Sequence, residues 1–324
     1  HPNGGHDCYN EAHTELLDEP RFVDRGKVTA DTFSNEKAQV LEINSKSGLY
    51  PLYVTYSIYR SKCGDHPTEH RDDESLRKLW DETVAKNVFV VCKTPMAKSI
   101  TQRTLVGYRK AGVNAHYFDA LVSMLKNKPE SFTNKILKCK YWDKTGDRKM
   151  KFDAIVGNPP YQLTDASGGS NDAPIYQYFA EAALNMTSKY VSLIIPARWF
   201  AGGRENLIGS FRNNMLNNNG LRDLFTFPNS HDVFPTVEIK GGLCYYLFDS
   251  SYSGECNYTL IQDGIREVTK RKLNEFDILI REPKLAKIVK KVIANIKDES
   301  ETVAMMISTD TPFGIPTNPK SSIK

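Results

Sequence analysis

The sequence predicts an α/β fold, a doubly wound and mostly parallel sheet with helices on both faces. Three observations carry that expectation. Short apolar runs at residues 39–43, 88–92, 153–156 and 190–195 read as buried strands. Helical patterns at 49–59, 96–103 and 203–216 follow the first, second and fourth of them, and this alternation is what a parallel sheet needs. The composition is that of a globular protein, 40% hydrophobic and 25% charged.

A weaker strand at 115–118 fits between the second and third runs. Segments 221–227, 241–248 and 258–262 also read as strands, expected to be antiparallel and to close the sheet. Residues 282–297 have the pattern of a basic amphipathic helix. Pro312, Pro316 and Pro319 mark 308–324 as a connector, so one domain over 1–300 and the start of a connector at 301–324 are expected. Because the chain opens on His1-Pro2-Asn3 rather than Met, a fragment of a longer protein is expected.

No apolar run approaches the roughly 18 residues of a membrane span, so no membrane partner is expected. The six cysteines lie far apart with no C-x-x-C pair, which argues against a zinc site or a disulfide framework and for reduced thiols in a cytoplasm. No metal is expected. A net charge of +4 permits a nucleic-acid partner without arguing for one. Nothing in the sequence sets an oligomeric state.

In such sheets the ligand sits beyond the carboxyl ends of the strands. Those ends are residues 42–48, 92–95, Asp119, 158–161 and 196–200. The third strand runs straight into Asn158-Pro159-Pro160-Tyr161. Two prolines fix two φ angles and remove two N–H donors, so the chain leaves the sheet as a stiff loop with its carbonyls available. The Asn158 side-chain oxygen and the Pro159 carbonyl suit the two protons of an exocyclic amino group. Accepting them turns the nitrogen lone pair towards an electrophile, while Tyr161 supplies a face on which an aromatic ring can stack. A rigid turn with a packed tyrosine would use the same residues.

This tetrapeptide matches [DNS]-P-P-[YFW], the signature of the amino-methyltransferases, and the chain resembles the adenine-N6 DNA methyltransferases of restriction–modification systems. Glutamine methyltransferases that act on release factors share N-P-P-Y, so the substrate does not follow from it alone. The resemblance implies a Rossmann-like sheet of the S-adenosylmethionine-dependent methyltransferase type, with S-adenosylmethionine as cofactor. Glu42-Ile43-Asn44-Ser45-Lys46-Ser47-Gly48 is similar to the family's cofactor loop, D-P-x-x-G-x-G. Glu42, Asn44 and Gly48 are thereby implied to hold the donor, with Lys46 standing in place of a glycine. At the second strand end Cys92 occupies the position of an acidic residue that meets the donor's ribose. Phe118 and Asp119, ending the third-motif strand, are implied to flank and to bond the donor's adenine.

Residues 188–200 resemble the strand behind the active site, and Arg198 and Trp199 could face DNA or the core. Asp232-Val233-Phe234-Pro235, just before a strand, resembles the motif whose aromatic stacks on a flipped base. Phe234 is thereby implied as a second platform opposite Tyr161, which favours a base over a protein substrate. The motif order is that of the gamma class, closest to large type IIG-like enzymes. It implies double-stranded DNA as partner, a recognition domain beyond this chain, and a nuclease or helicase fused or associated. The alternatives are a methyltransferase for a protein glutamine or an RNA base, and a catalytically decayed DNA-binding relic. Lysines and Arg148 between 135 and 151 form a basic stretch that fits either a phosphate-contacting hairpin or a solvated one.

Overall fold

The computed structural model describes residues 32–33, 35–63, 72–146, 149–163, 173–201 and 205–296. The chain first lays down β1 (Val40–Ser45), α1 (Leu49–Cys63), α2 (Asp73–Asn87), β2 (Val88–Cys92) and α3 (Pro95–Val106). There follow β3 (Asn114–Tyr117), α4 (Leu121–Asn127), α5 (Pro129–Ile136) and β4 (Phe152–Gly157). The rest of the sheet comes from β5 (Thr187–Pro196), β6 (Leu221–Phe227), β7 (Leu243–Asp249), β8 (Cys256–Gln262) and β9 (Ile265–Arg271). Helices α6 (Tyr176–Met186) and α7 (Ser210–Leu216) stand before β5 and β6. After Leu279 a second unit begins, whose described helix is α8 (Pro283–Ala294). The expected connector at 301–324 lies outside the described residues.

Among the described residues the sheet has the order β3-β2-β1-β4-β5-β7-β6-β8-β9. Strands β3, β2, β1, β4 and β5 are parallel, and β7 runs antiparallel between β5 and β6. Both β1 and β2 are buried along their whole length, as central parallel strands covered on both faces must be.

The alternation of side chains along each strand divides the core between the two faces. Leu41, Ile43, Phe89, Val91, Ile155 and Val191 pack with Leu121, Phe132 and Phe179 of α4, α5 and α6. Val40, Val88, Val90 and Ala154 pack on the other face with Val54 and Ile58 of α1. The doubly wound sheet expected from the sequence is therefore present.

One expectation needs correction. The later strands are not all antiparallel, because β8 is parallel to β6 and only β7 and β9 run against their neighbours. The connection from β7 to β8 passes across β6, so β8 lands beside β6 in the same direction. Strand β9 is an addition, folded back on β8 through Asp263-Gly264, both at positive φ (52° and 74°), the turn geometry that hairpins favour.

The chain leaves β1 towards β2 and β3, then returns to place β4 on β1's other side. The crevice at the carboxyl ends of β1 and β4 is thus the point where the winding reverses.

Candidate active site at the reversal of the sheet

Strand β1 ends in a bulge. Ile43 pairs with Val91 and Ser45 with Cys92, which leaves Asn44 as the extra residue, at φ 75°. Bulges re-aim side chains, and asparagine tolerates this conformation better than most residues. Asn44 is buried with its Nδ2 unpartnered, and Glu42 is buried with its Oε2 unpartnered. Burial pushes the Glu42 carboxyl up to about 8, against the opposing pull of a Ser45 hydrogen bond and the Lys46 charge. Gly48, at φ 79°, lies so near α3 that a Cβ would meet Thr101 Cα and Thr104 Cβ at 3.0 Å. Glycine is required there by conformation and by space.

At the end of β2, Cys92 is fully buried and its Sγ lies 3.8 Å from Thr101 Oγ1, which in turn donates to Ser45 Oγ at 3.1 Å. Burial raises the thiol to about 11. The position therefore offers a neutral, inward-facing thiol, while Lys93 beside it is exposed and Thr94 caps α3. At the end of β3 Asp119 is exposed, accepting only the Ala120 N–H among the described bonds. The Phe118 ring is buried, 5.1 Å from Phe132 and 4.6 Å from Lys135 Nζ.

The tetrapeptide leaves the end of β4 directly beside β1. Gly157, at φ 155°, brings the two strand ends together, since a Cβ there would lie 3.4 Å from Glu42 Cγ. Pro159 is buried; Asn158, Pro160 and Tyr161 are partly buried. Burial raises the Tyr161 phenol well above its usual range, Tyr50 and Cys244 add to this, and a hydrogen bond with the Asn158 side chain opposes it.

A short antiparallel strap fixes the exit. Ile175 N–H donates to the Tyr161 carbonyl and Leu163 N–H to that of Ala173, each at 3.1 Å. Sequence reasoning missed both the strap and Tyr50, the latter because it stands in α1, far along the chain from the tetrapeptide. Its only sequence signal was its place two residues after Gly48.

Phe234 is partly buried in the β6–β7 loop. Because β6 is parallel to β5 through the intervening β7, this loop opens on the same sheet edge as the tetrapeptide. Ser230 Oγ donates to the Val237 carbonyl and accepts the Ile239 N–H, both at 2.9 Å, and Phe234 N–H donates to the Ser230 carbonyl at 2.8 Å. Ala197 N–H to the Gly242 carbonyl (3.0 Å) and Arg198 Nε to the Lys240 carbonyl (2.8 Å) tie the loop to the end of β5. Among the described residues no ring contact joins Tyr161 and Phe234. Trp199 is a core residue, 4.6 Å from Phe200. In the basic stretch, Lys144 donates to the Ala85 carbonyl at the opposite, amino edge of the sheet, a structural tie rather than a phosphate contact.

Fold and site together define a Rossmann-like, mostly parallel sheet with Asn158-Pro159-Pro160-Tyr161 at its reversal point. Residues 86–234 match the family model of the Eco57I restriction-modification methylase, so the resemblance carried by Asn158–Tyr161 holds for this segment. An uncharacterized adenine-specific methylase of Mycoplasma pneumoniae is 39% identical over 136 residues, 41% of this chain and 31% of that protein. The chain thus matches under a third of that relative's length. The methyltransferase subunit of a type I restriction-modification system from Streptococcus thermophilus is 11% identical with a TM-score of 0.43, covering 84% of this chain and 51% of its own. The type IIG restriction endonuclease BpuSI is 13% identical with a TM-score of 0.43, covering 84% of this chain and 27% of its own.

Proposed function

We propose that this chain is the catalytic part of a restriction–modification DNA methyltransferase that methylates the N6 amino group of a flipped adenine. The observation that carries the reading is the placement of Asn158-Pro159-Pro160-Tyr161 at the end of β4, in contact through Gly157 with buried Glu42. Two unpartnered buried polar atoms on β1, Glu42 Oε2 and Asn44 Nδ2, fit a polar ligand in that crevice. Glu42, Asn44 and Gly48 would hold S-adenosylmethionine, with Asp119 towards its adenine end. When bound, that cofactor supplies an electrophilic methyl group on a sulfonium.

The chain's own residues do the rest by positioning and hydrogen bonding. The base must leave the duplex to reach the crevice. Tyr161, with its hydroxyl edge buried, presents its ring to one face of the base, and Phe234 faces the other across the β6–β7 loop. The Asn158 side-chain oxygen and the Pro159 carbonyl accept the two amino protons, directing the lone pair towards the methyl carbon. The new nitrogen–carbon bond would replace the donor's carbon–sulfur bond, leaving the thioether, and these acceptors would direct the proton that the nitrogen gives up to solvent. Double-stranded DNA is the partner that this reading requires, and the cytoplasm its compartment. Phe118 is better read as support for Asp119 than as a cofactor contact, since its ring is enclosed by Phe132 and Lys135.

Asn158→Ala tests the assignment. It removes an acceptor used at the reacting nitrogen, so methyl transfer should fall by at least about a hundredfold while S-adenosylhomocysteine binding is retained. Retention of more than about a tenth of the turnover would refute the role of Asn158.

A further inference from the structure

The short turn that follows β5, Ala197–Phe200, is locked on one side and open on the other. Ala197, Trp199 and Phe200 are buried, and the Leu279 N–H donates to the Phe200 carbonyl at 2.8 Å. Arg198 is the one residue of the turn that reaches outward. Its Nε donates to the Lys240 carbonyl at 2.8 Å, so the guanidinium is pinned at one nitrogen while both Nη groups stay unbonded. Neither Arg198 nor the exposed Lys240 has an acidic partner among the described residues. Two uncompensated cations thus stand together on the edge of the sheet that carries the tetrapeptide. Burial raises the Tyr176 phenol above its usual range, Cys244 adds to this, and the Arg198 charge opposes it. Cys244 acts on the Tyr161 phenol as well, so Arg198 shares a neighbourhood with the tetrapeptide ring and with the loop that carries Phe234.

Resting on the proposed DNA reading, we propose that Arg198 grips a backbone phosphate beside the flipped nucleotide, and that its Nε bond to the Phe234 loop makes phosphate binding and loop placement one event. A guanidinium anchored at Nε presents its two Nη groups as a fork, which matches a pair of phosphodiester oxygens as a lysine point charge does not. Contacts to phosphate carry no sequence information, but they fix the register of the nucleic acid. Register is what this site needs, because the base has to enter between Tyr161 at the end of β4 and Phe234 in the β6–β7 loop. The buried neighbours of Arg198 hold its backbone in place before any ligand arrives, which lowers the ordering cost of the grip.

The test uses the intact protein and a duplex that it methylates, with a single uncharged methylphosphonate replacing each phosphate around the target adenine in turn. One linkage next to the target should be sensitive in the unsubstituted protein, its neutralisation weakening DNA binding about tenfold. Arg198→Met should weaken binding to unmodified DNA by a similar factor and reduce the slope of log affinity against log salt by about one. The same methylphosphonate should then cost this variant nothing further, while S-adenosylhomocysteine binding stays unchanged. Arg198→Lys should recover the salt slope, because the charge remains, but not kcat, because the Nε tie to the Lys240 carbonyl is gone. Additive losses in Arg198→Met, or an unaltered salt slope, would overturn the grip while leaving the proposed function intact. Should Arg198→Met fail to fold, the absence of any sensitive linkage in the unsubstituted protein, or full kcat in Arg198→Lys, overturns it equally. Failure of the unsubstituted protein to methylate any duplex would overturn both.

Discussion

At the scale of single residues, Glu42 and Phe234 make the account most exposed to test. Glu42 titrates near 8 in the folded protein against an ordinary 4.5, so folding strengthens its hold on a proton. Its contribution to stability is complete below the unfolded value and is lost as pH rises through the folded one. Lys46 favours the ionised form and Cys92 lies close by, but burial outweighs the former. Glu42→Gln should therefore flatten the fall in stability with pH, by at most about 1.4 kcal/mol per pH unit, in urea unfolding between about pH 5 and 9. An unchanged slope would mean that the carboxyl is not held protonated. For Phe234, stacking on an extruded base is worth about 1–3 kcal/mol. Phe234→Ala should slow methylation of paired DNA more than it weakens binding to DNA mismatched at the target, where part of the unpairing cost is already gone. Phe234→Trp should keep activity and Phe234→Leu lose it. A 2-aminopurine at the target position reports extrusion by brightening. If Phe234→Ala alters neither that signal nor the rate, the residue belongs to the loop's packing and Tyr161 stands alone.

Among the elements, the loop from β6 to β7 depends on Gly242. Its φ is 74°, and a Cβ there would lie 2.2 Å from the Phe227 carbonyl oxygen and 2.6 Å from that of Pro228. Gly264, in the β8–β9 turn, has the same φ of 74° with nothing within 4 Å. Gly264→Ala should then cost only the conformational strain, about 1 kcal/mol, whereas Gly242→Ala should cost about 2 kcal/mol or more and reduce methylation by displacing Phe234. Equal losses in denaturant unfolding would remove the steric argument. The parallel half of the sheet was legible in the sequence because buried central strands appear as unbroken apolar runs bounded by turns. Strand β9 was not, since Ile265–Arg271 is a polar edge strand with weak alternation, although Asp263-Gly264 was a readable hairpin signal. Helices α2, α4, α5 and α6 were likewise passed over in favour of the strands that they connect.

For the molecule as a whole, the site is an outcome of winding order. Residues 42, 92, 119, 158 and 234 are scattered along the chain, and only the reversal between β1 and β4, with β7 inserted antiparallel, brings their strand ends to one edge. The proposed chemistry was legible in four consecutive residues, because a tetrapeptide held rigid by two prolines carries its own geometry. Glu42, Asn44 and Gly48 were named from the resemblance of their loop, but the burial that leaves Glu42 Oε2 and Asn44 Nδ2 without partners was not legible, since it exists only once the bulge has formed. The central claim, that this geometry methylates the amino group of adenine in DNA, is tested most directly by identifying the methylated product. The intact protein is incubated with labelled S-adenosylmethionine and, separately, duplex DNA, RNA and a glutamine-bearing release-factor substrate, and the products are resolved by mass spectrometry. N6-methyladenine confined to DNA, and absent with Asn158→Ala, is the predicted result; label in RNA or glutamine alone, or none in DNA despite S-adenosylhomocysteine binding, would contradict it.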